Sequence, residues 1–143
     1  MSSLKMTDFP AGFSTDEGFD PSEDHVGPFY YRRSEDGWQY AFRADSRHCN
    51  SSGIVHGGVL MTFADFALCM EATNHYDNED CLTVNFNCDF VAAAEVGSVV
   101  EARARVTRKT GSMTFVRGEI FTGETVVMTF SSVVKRLYER EDK

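Results

Sequence analysis

His56-Gly57-Gly58-Val59-Leu60-Met61-Thr62-Phe63-Ala64-Asp65-Phe66-Ala67-Leu68-Cys69-Met70-Glu71-Ala72 decides the fold. From Val59 to Ala72 good helix formers run without proline, and apolar side chains occur on every face instead of along one stripe. That pattern predicts a helix wrapped by other structure. Only Thr62, Asp65 and Glu71 interrupt it. Glu71 lies near the end, where it can reach solvent, whereas Asp65 sits in mid-helix between Ala64 and Phe66, where an unpaired charge is costly to bury. A carboxylate there either bonds a nearby hydroxyl or arginine, or serves as a general base or nucleophile.

Gly57 and Gly58 open the helix. Backbone N–H groups of a first turn lack intrahelical partners and carry the positive end of the helix dipole, so this end can bind an anion or polarise a carbonyl. The absent side chains also let a substrate approach closely; the bland alternative is that the two glycines merely make the turn. Asp65 lies eight residues after Gly57, about 12 Å along a straight helix and pointing elsewhere. One copy of the helix therefore cannot bring both to one reacting carbon. If they share a site, it is built from two subunits of a symmetric dimer.

At 143 residues, 42% hydrophobic and 25% charged, the chain has the size and composition of one soluble domain with a single core. Residues 1–26 are rich in Ser, Asp, Glu, Gly and Pro with scattered Phe9, Phe13 and Phe19. They read as an irregular N-terminal arm that docks its rings on the body, leaving 27–143 as the domain. These residues contain no cleavable targeting signal and no run long enough to span a bilayer, so the expectation is a cytoplasmic protein without membrane insertion. Cys49, Cys69, Cys81 and Cys88 have neither paired-motif spacing nor the density of a secreted scaffold and read as free thiols. His48, Cys49 and His56 match no zinc spacing, and no metal is expected. A net charge of −8 argues against nucleic acid. Arg103, Arg105, Arg108, Lys109 and Arg117 nonetheless cluster, and either form a solvated strand face or hold a small phosphorylated ligand.

Alternation places strands around the helix. Gly27–Arg33 and Gly37–Asp45 form a hairpin, and Ser46–Val55 is a loop. Cys81–Phe90 is a strand with Leu82, Val84, Phe86, Cys88 and Phe90 on one face. Ser98–Arg108 directs Val100, Ala102, Ala104 and Val106 inward and Glu101, Arg103 and Arg105 outward. Met113–Phe121 and Thr125–Leu137 complete the set. The fold class is α+β, a curved, largely antiparallel sheet around one long central helix. No Walker loop, dinucleotide fingerprint, H-E-x-x-H or G-x-S-x-G is present.

From about Tyr30 to Leu137 the chain resembles the hotdog-fold thioesterases of the phenylacetate-degradation (PaaI-like) family, the thioesterase superfamily member 2 type. The specific features are Asn50 in the loop, Ile54-Val55-His56-Gly57-Gly58, Asp65 in the helix, and a hydroxyl residue, Thr83, in the next strand, where the family usually has Ser, or Thr. The resemblance implies hydrolysis of acyl-coenzyme A to free acid and coenzyme A, with no cofactor beyond the substrate's own coenzyme A. The Gly57 amide and Asn50 would polarise the thioester carbonyl, His56 would shape that site, Asp65 would activate water or attack directly, and Thr83 would orient the water. Close approach to the helix start involves Gly58. Coenzyme A would lie along the subunit edge near Asn85, Phe90, Arg108, Lys109 and the Gly111-Ser112 turn, with Lys135 or Arg136 beside it. A homodimer is expected, with a tetramer built as a dimer of dimers. Preorganised N–H donors and a carboxylate suffice for the chemistry without metal. Two alternatives are a non-catalytic acyl-CoA-binding or regulatory hotdog protein and a hotdog dehydratase. The latter needs a His–carboxylate pair that His56, tied to the Gly-Gly turn, does not offer.

Overall fold

Asp20 accepts a hydrogen bond from the Glu23 backbone N–H at 3.0 Å and Pro21 opens the first turn, so a six-residue helix, α1 (Pro21–Val26), forms inside the arm that composition marks as irregular. The computed structural model describes residues 9–138. After α1 come β1 (Tyr30–Ser34), β2 (Gly37–Arg43), a short 3-10 turn at Ser46–His48, α2 (Gly57–Ala72), β3 (Glu79–Phe90), β4 (Val99–Lys109), β5 (Met113–Thr122) and β6 (Thr125–Tyr138). The strands form one six-stranded sheet in the order β1-β2-β4-β5-β6-β3, every neighbouring pair antiparallel. Among the described residues β3 thus occupies an edge, paired with β6 on one side only.

The sheet curves around α2. Leu60, Phe63, Phe66, Leu68 and Met70 of the helix are buried against Val100, Ala102, Val116, Ile120, Met128 and Val134 of the strands. Each large apolar side chain so buried stabilises the fold by about 1.5–3 kcal/mol. Apolar residues occur on all faces of α2 because α1 and the segment that follows it cover what the sheet leaves open: Phe29 packs its ring on Phe63 and Phe66 at 5.1 and 5.4 Å. Gly118 in β5 sits where neighbouring atoms leave no room for a side chain. A Cβ on Gly118 would collide with the Arg103 carbonyl oxygen and lie 2.6 Å from the Phe130 ring.

The arm is bound at several points. Ser14 and Tyr31 exchange backbone hydrogen bonds of 2.9 Å, extending the sheet at β1. Phe9 is buried with Ala41 and Val99 on the outer face of β2 and β4. Glu101 sits opposite Ala41 on this covered face and is buried with it, although alternation points it outward to water. Arg47 reaches the carbonyls of His25, Val26 and Gly27, and His48 Nε2 lies 2.6 Å from the Val26 oxygen. His48 Nδ1 accepts from the Asp45 N–H, so Nε2 carries the proton and donates. These contacts fix the loop that feeds α2.

Three strands depart from simple alternation, β3, β4 and β6, the last by a shift opposite Ile120 and Phe121 of β5. In β3 a bulge between Thr83 and Asn85 inserts one residue, which reverses the facing of everything before it. Leu82 and Val84 are therefore 55% and 50% exposed, not in the core. Cys81 and Thr83 take the helix side in their place, and Phe86 and Cys88 return to it after the bulge. Phe90 is 55% exposed as well. In β4 a second bulge falls between Val106 and Arg108; Val106 precedes it, shares the face of its buried partner Val116, and is still 37% exposed. Among the described residues no helix is long and apolar enough to cross a membrane.

Candidate active site

The reversed register at the start of β3 gives Asp65 its partner. Thr83 Oγ1 donates to Asp65 Oδ1 at 2.7 Å, across the gap between β3 and α2. Cys69, one helical turn after Asp65, places its Sγ 3.8 Å from the same oxygen and 3.6 Å from the threonine hydroxyl. Asp65 is half-buried, and its Oδ2 has no hydrogen-bond partner among the described residues. A carboxylate anchored through one oxygen and open at the other can take a proton from a bound water.

The start of α2 supplies the electrophilic element. His56 is the N-cap; its Nδ1 accepts from the Gly58 N–H at 3.2 Å, and its carbonyl accepts from Val59 and Leu60. Of the four orphan N–H groups of the first turn, Gly57 alone keeps none of these bonds. The Phe90 ring closes over it, and a Cβ on Gly57 would stand 3.0 Å from that ring. Asn50 is exposed, and its Oδ1 accepts from the Ser52 and Ile54 N–H groups at 2.9 and 3.2 Å, which turns its Nδ2 donors to solvent.

Within one chain these groups form two clusters. Asp65, Thr83 and Cys69 lie together, and Gly57, Gly58, His56 and Phe90 lie together at the other end of the helix. The residues expected along coenzyme A divide the same way. Asn85 sits in mid-strand and bonds Asn87 through its Oδ1, while Arg108, Gly111 and Ser112 belong to the far end of the sheet with Lys109. Lys109 pairs in register with Thr114, then Val134, then Thr83. It is thus seven β3 residues from Phe90, roughly 23 Å. Lys109 Nζ is also engaged, donating to the Ala72 carbonyl at 2.9 Å and to Glu79 at 2.6 Å. Arg136 holds Glu79 at 3.0 Å. Burial works against the Glu79 charge, but the hydrogen bonds from Arg136 and Lys109 outweigh it and keep the carboxyl below its ordinary range.

Three neighbours were not assigned to the site from the sequence. Glu23 of α1 lines a narrow crevice between the arm and α2 with Phe29, Phe66 and Met70. Burial, then the charges of Asp20, Asp65 and Asp24, push its carboxyl up to about 8. The signal for α1 was the string Asp20-Pro21-Ser22-Glu23, an N-cap, a proline and an acidic third residue; nothing local announces that it lands near Asp65. Cys69 was legible as the i+4 neighbour of Asp65. A hydrogen bond with Cys81, burial and the Asp65 charge push its thiol far up, so it stays neutral. Glu71 does not simply reach water. It is half-buried and accepts from the Tyr40 hydroxyl at 2.8 Å, because β2 and His75, stacked 3.7 Å from Trp38, close over the end of α2. Burial raises its carboxyl.

Residues 52–129 match the sequence model of the family described as the thioesterase superfamily. A relative from Pseudomonas aeruginosa, PA0474, provisionally classed as an esterase, is 33% identical over 130 residues, covering 90% of this chain and 97% of its own. The structure of BH2602 from Bacillus halodurans with CoA superposes with a TM-score of 0.77 at 19% identity, covering 87% of this chain and 83% of that one. A mutant of the phenylacetic acid degradation protein PaaI from Thermus thermophilus gives a TM-score of 0.71 at 24% identity over 82% of this chain and 100% of that one.

Proposed function

The chain belongs to the thioesterase superfamily and has its hotdog fold, and from that premise we propose that it hydrolyses acyl-coenzyme A thioesters in sites shared by two copies of the chain. The observation that carries the proposal is the Asp65–Thr83 pair, a carboxylate with one oxygen anchored at 2.7 Å and the other unbound, beside an unpaired sheet edge. The solved relative that holds CoA supports the ligand class.

The two-chain site follows from the direction of β3. Its outer edge is unpaired, and exposed Leu82, Val84, Phe90 and Val91 lie along it or just beyond it. Such an edge invites a second strand, and the apolar side chains favour one of its own kind. Antiparallel pairing of two β3 strands about a point near Phe86 brings the Thr83 end of one, with Asp65, to the Phe90 end of the other, with Gly57. The same pairing carries the Arg108–Ser112 turn of one chain toward Asn85 and Phe90 of its partner, where coenzyme A would lie.

In that site the Gly57 N–H and Asn50 Nδ2 hold the thioester carbonyl oxygen, and charge builds there as water attacks the carbon. Asp65 takes the proton from the water through its open oxygen, while Thr83 keeps the carboxylate aimed. Collapse of the tetrahedral intermediate breaks the carbon–sulfur bond, and the proton passes to the departing thiolate. The test is thiol release from short, medium, long and aromatic acyl-CoAs by wild type and Asp65→Ala in parallel. Release by the wild type that falls about 10²–10⁴-fold in the variant is expected. Equal rates overturn the role of Asp65, and background release from every substrate overturns hydrolysis itself.

A further inference from the structure

Residues 48–57 carry both groups that would hold the thioester carbonyl oxygen, Asn50 and the Gly57 N–H. They form a narrow loop closed by its own backbone. Asn50 N–H donates to the Ile54 carbonyl at 2.8 Å, Cys49 and Val55 form an antiparallel bridge, and His56 N–H donates to the His48 carbonyl at 2.9 Å. His48 thus closes the loop at its base. On one side the loop is tied to the segment between β3 and β4, where Val55 N–H reaches the Ala94 carbonyl at 2.8 Å.

The direction of the Gly57 N–H is set by two planar peptides that meet at His56. The peptide that contains this N–H has the His56 carbonyl at its other end, held by the Val59 and Leu60 N–H groups at 2.9 and 3.2 Å. The preceding peptide is held through the His56 N–H by His48. With both planes fixed, His56 is confined to φ −61° and ψ 136°, and the Gly57 N–H points out of the helix start.

His48 is moored in turn by its side chain. The ring is 3% exposed and meets Phe42 edge to face at 5.1 Å. Nδ1 accepts from the Asp45 N–H at 3.0 Å, and Nε2 donates at 2.6 Å to the carbonyl of Val26, the last residue of α1. An apolar ring of this size would fill the space and leave both backbone groups unpaired. Exposed Arg47 adds bonds to the His25, Val26 and Gly27 carbonyls. The loop is therefore tied to α1 through one buried ring and one surface guanidinium.

We propose that His48 is a positioning residue for the carbonyl-binding donors, its Nε2–H bond to Val26 making α1 the fixed support on which Asn50 and the Gly57 N–H are aligned. The role rests on the thioesterase reading of those donors. His48 acts through the loop backbone, and alignment with a developing oxyanion counts chiefly in the transition state, so its loss lowers kcat and leaves KM nearly unchanged.

Two substitutions separate the ring's two bonds. Glutamine keeps an N–H at the reach of Nε2, whereas asparagine keeps an oxygen at the reach of Nδ1 and cannot touch Val26. In thiol release, His48→Asn is expected to lower kcat about tenfold with KM within about twofold, and His48→Gln to stay within about threefold of wild type, since loss of a whole donor costs about 10²–10³. Equal kcat in the two variants, or a loss confined to KM, overturns the proposal. Should circular dichroism show His48→Asn unfolded, Arg47→Ala decides. A fall in kcat of about threefold or more at constant KM then supports the tie to α1, and an unchanged kcat overturns it. Exchange of the His56 amide, followed by NMR and expected to be about tenfold faster in His48→Asn than in His48→Gln, reads the tie without turnover. Wild-type protein that releases no thiol removes the thioesterase reading alone, whereas equal His56 exchange in the two variants removes this one.

Discussion

Replacing Glu23 by Gln should make the protein more stable at alkaline pH and leave it unchanged at acid pH. The carboxyl is pushed up to about 8 from its ordinary 4.5, first by burial under the arm and then by Asp20, Asp65 and Asp24. Between those values the folded chain holds a proton that the unfolded chain has released. Stability therefore falls as pH rises through this window and levels off above it. At about 1.4 kcal/mol per tenfold in proton affinity, the full interval amounts to roughly 5 kcal/mol; part of the group touches water, and screening reduces this to about 2 kcal/mol. Glutamine keeps the shape and cannot ionise, so the difference between variant and wild type isolates this one group. Thermal unfolding at pH 5, 7 and 9 should show coincident curves at pH 5. At pH 9 the variant should melt about 8 °C higher, taking about 4 °C per kcal/mol for a chain of this size. A difference that stays constant from pH 5 to 9 would falsify the placement of Glu23 among the three carboxylates.

Thr83→Val removes a hydrogen bond to a charged group, worth about 1.5–3 kcal/mol, and should cut thiol release roughly 10- to 100-fold, while Thr83→Ser stays within about threefold. Equal rates for the valine variant would show that Asp65 does not need its anchor. Gly118→Ala drives a methyl group into the Arg103 carbonyl and the Phe130 ring and should cost about 3 kcal/mol or more in urea unfolding. Gly111→Ala, with no atom within 4 Å of the new carbon, should change stability by no more than about 0.5 kcal/mol. Leu82→Lys/Val84→Lys alters two exposed residues, so the single-chain fold should survive while sedimentation gives a monomer and turnover disappears. A monomeric variant with full turnover would sink the two-chain site.

Much of the fold was legible because its signals are local and periodic. Apolar residues on every face of Val59–Ala72 required cover on all sides, and the sheet and arm supply it. Hairpin-length connections from Val99 to Tyr138 imposed antiparallel neighbours. What alternation missed were the bulges, above all the one in β3. A single inserted residue leaves the composition of β3 untouched yet exchanges its faces, so Leu82 and Val84 moved to the surface and Thr83 moved to the helix. The helix in the arm was hidden for a different reason. Six residues are too few to show a period, and only the Asp20-Pro21 start marked them.

The residues of the candidate site can be picked out in the sequence, whereas the assembly proposed for them cannot, and the structure gives the reason. Asp65 and Gly57 announce themselves by being the wrong types for a buried apolar helix unless chemistry or pairing employs them. Their separation is fixed by helix geometry, so no fold of one chain can unite them. The edge proposed to unite them is that of β3, and its apolar character at Leu82 and Val84 becomes readable only once the bulge is seen. The same bulge that turns Thr83 inward to hold Asp65 turns Leu82 and Val84 outward to the surface of the proposed docking edge. Anchoring the carboxylate and exposing the docking edge are therefore one structural event, and a sequence change that abolished the bulge would remove both together.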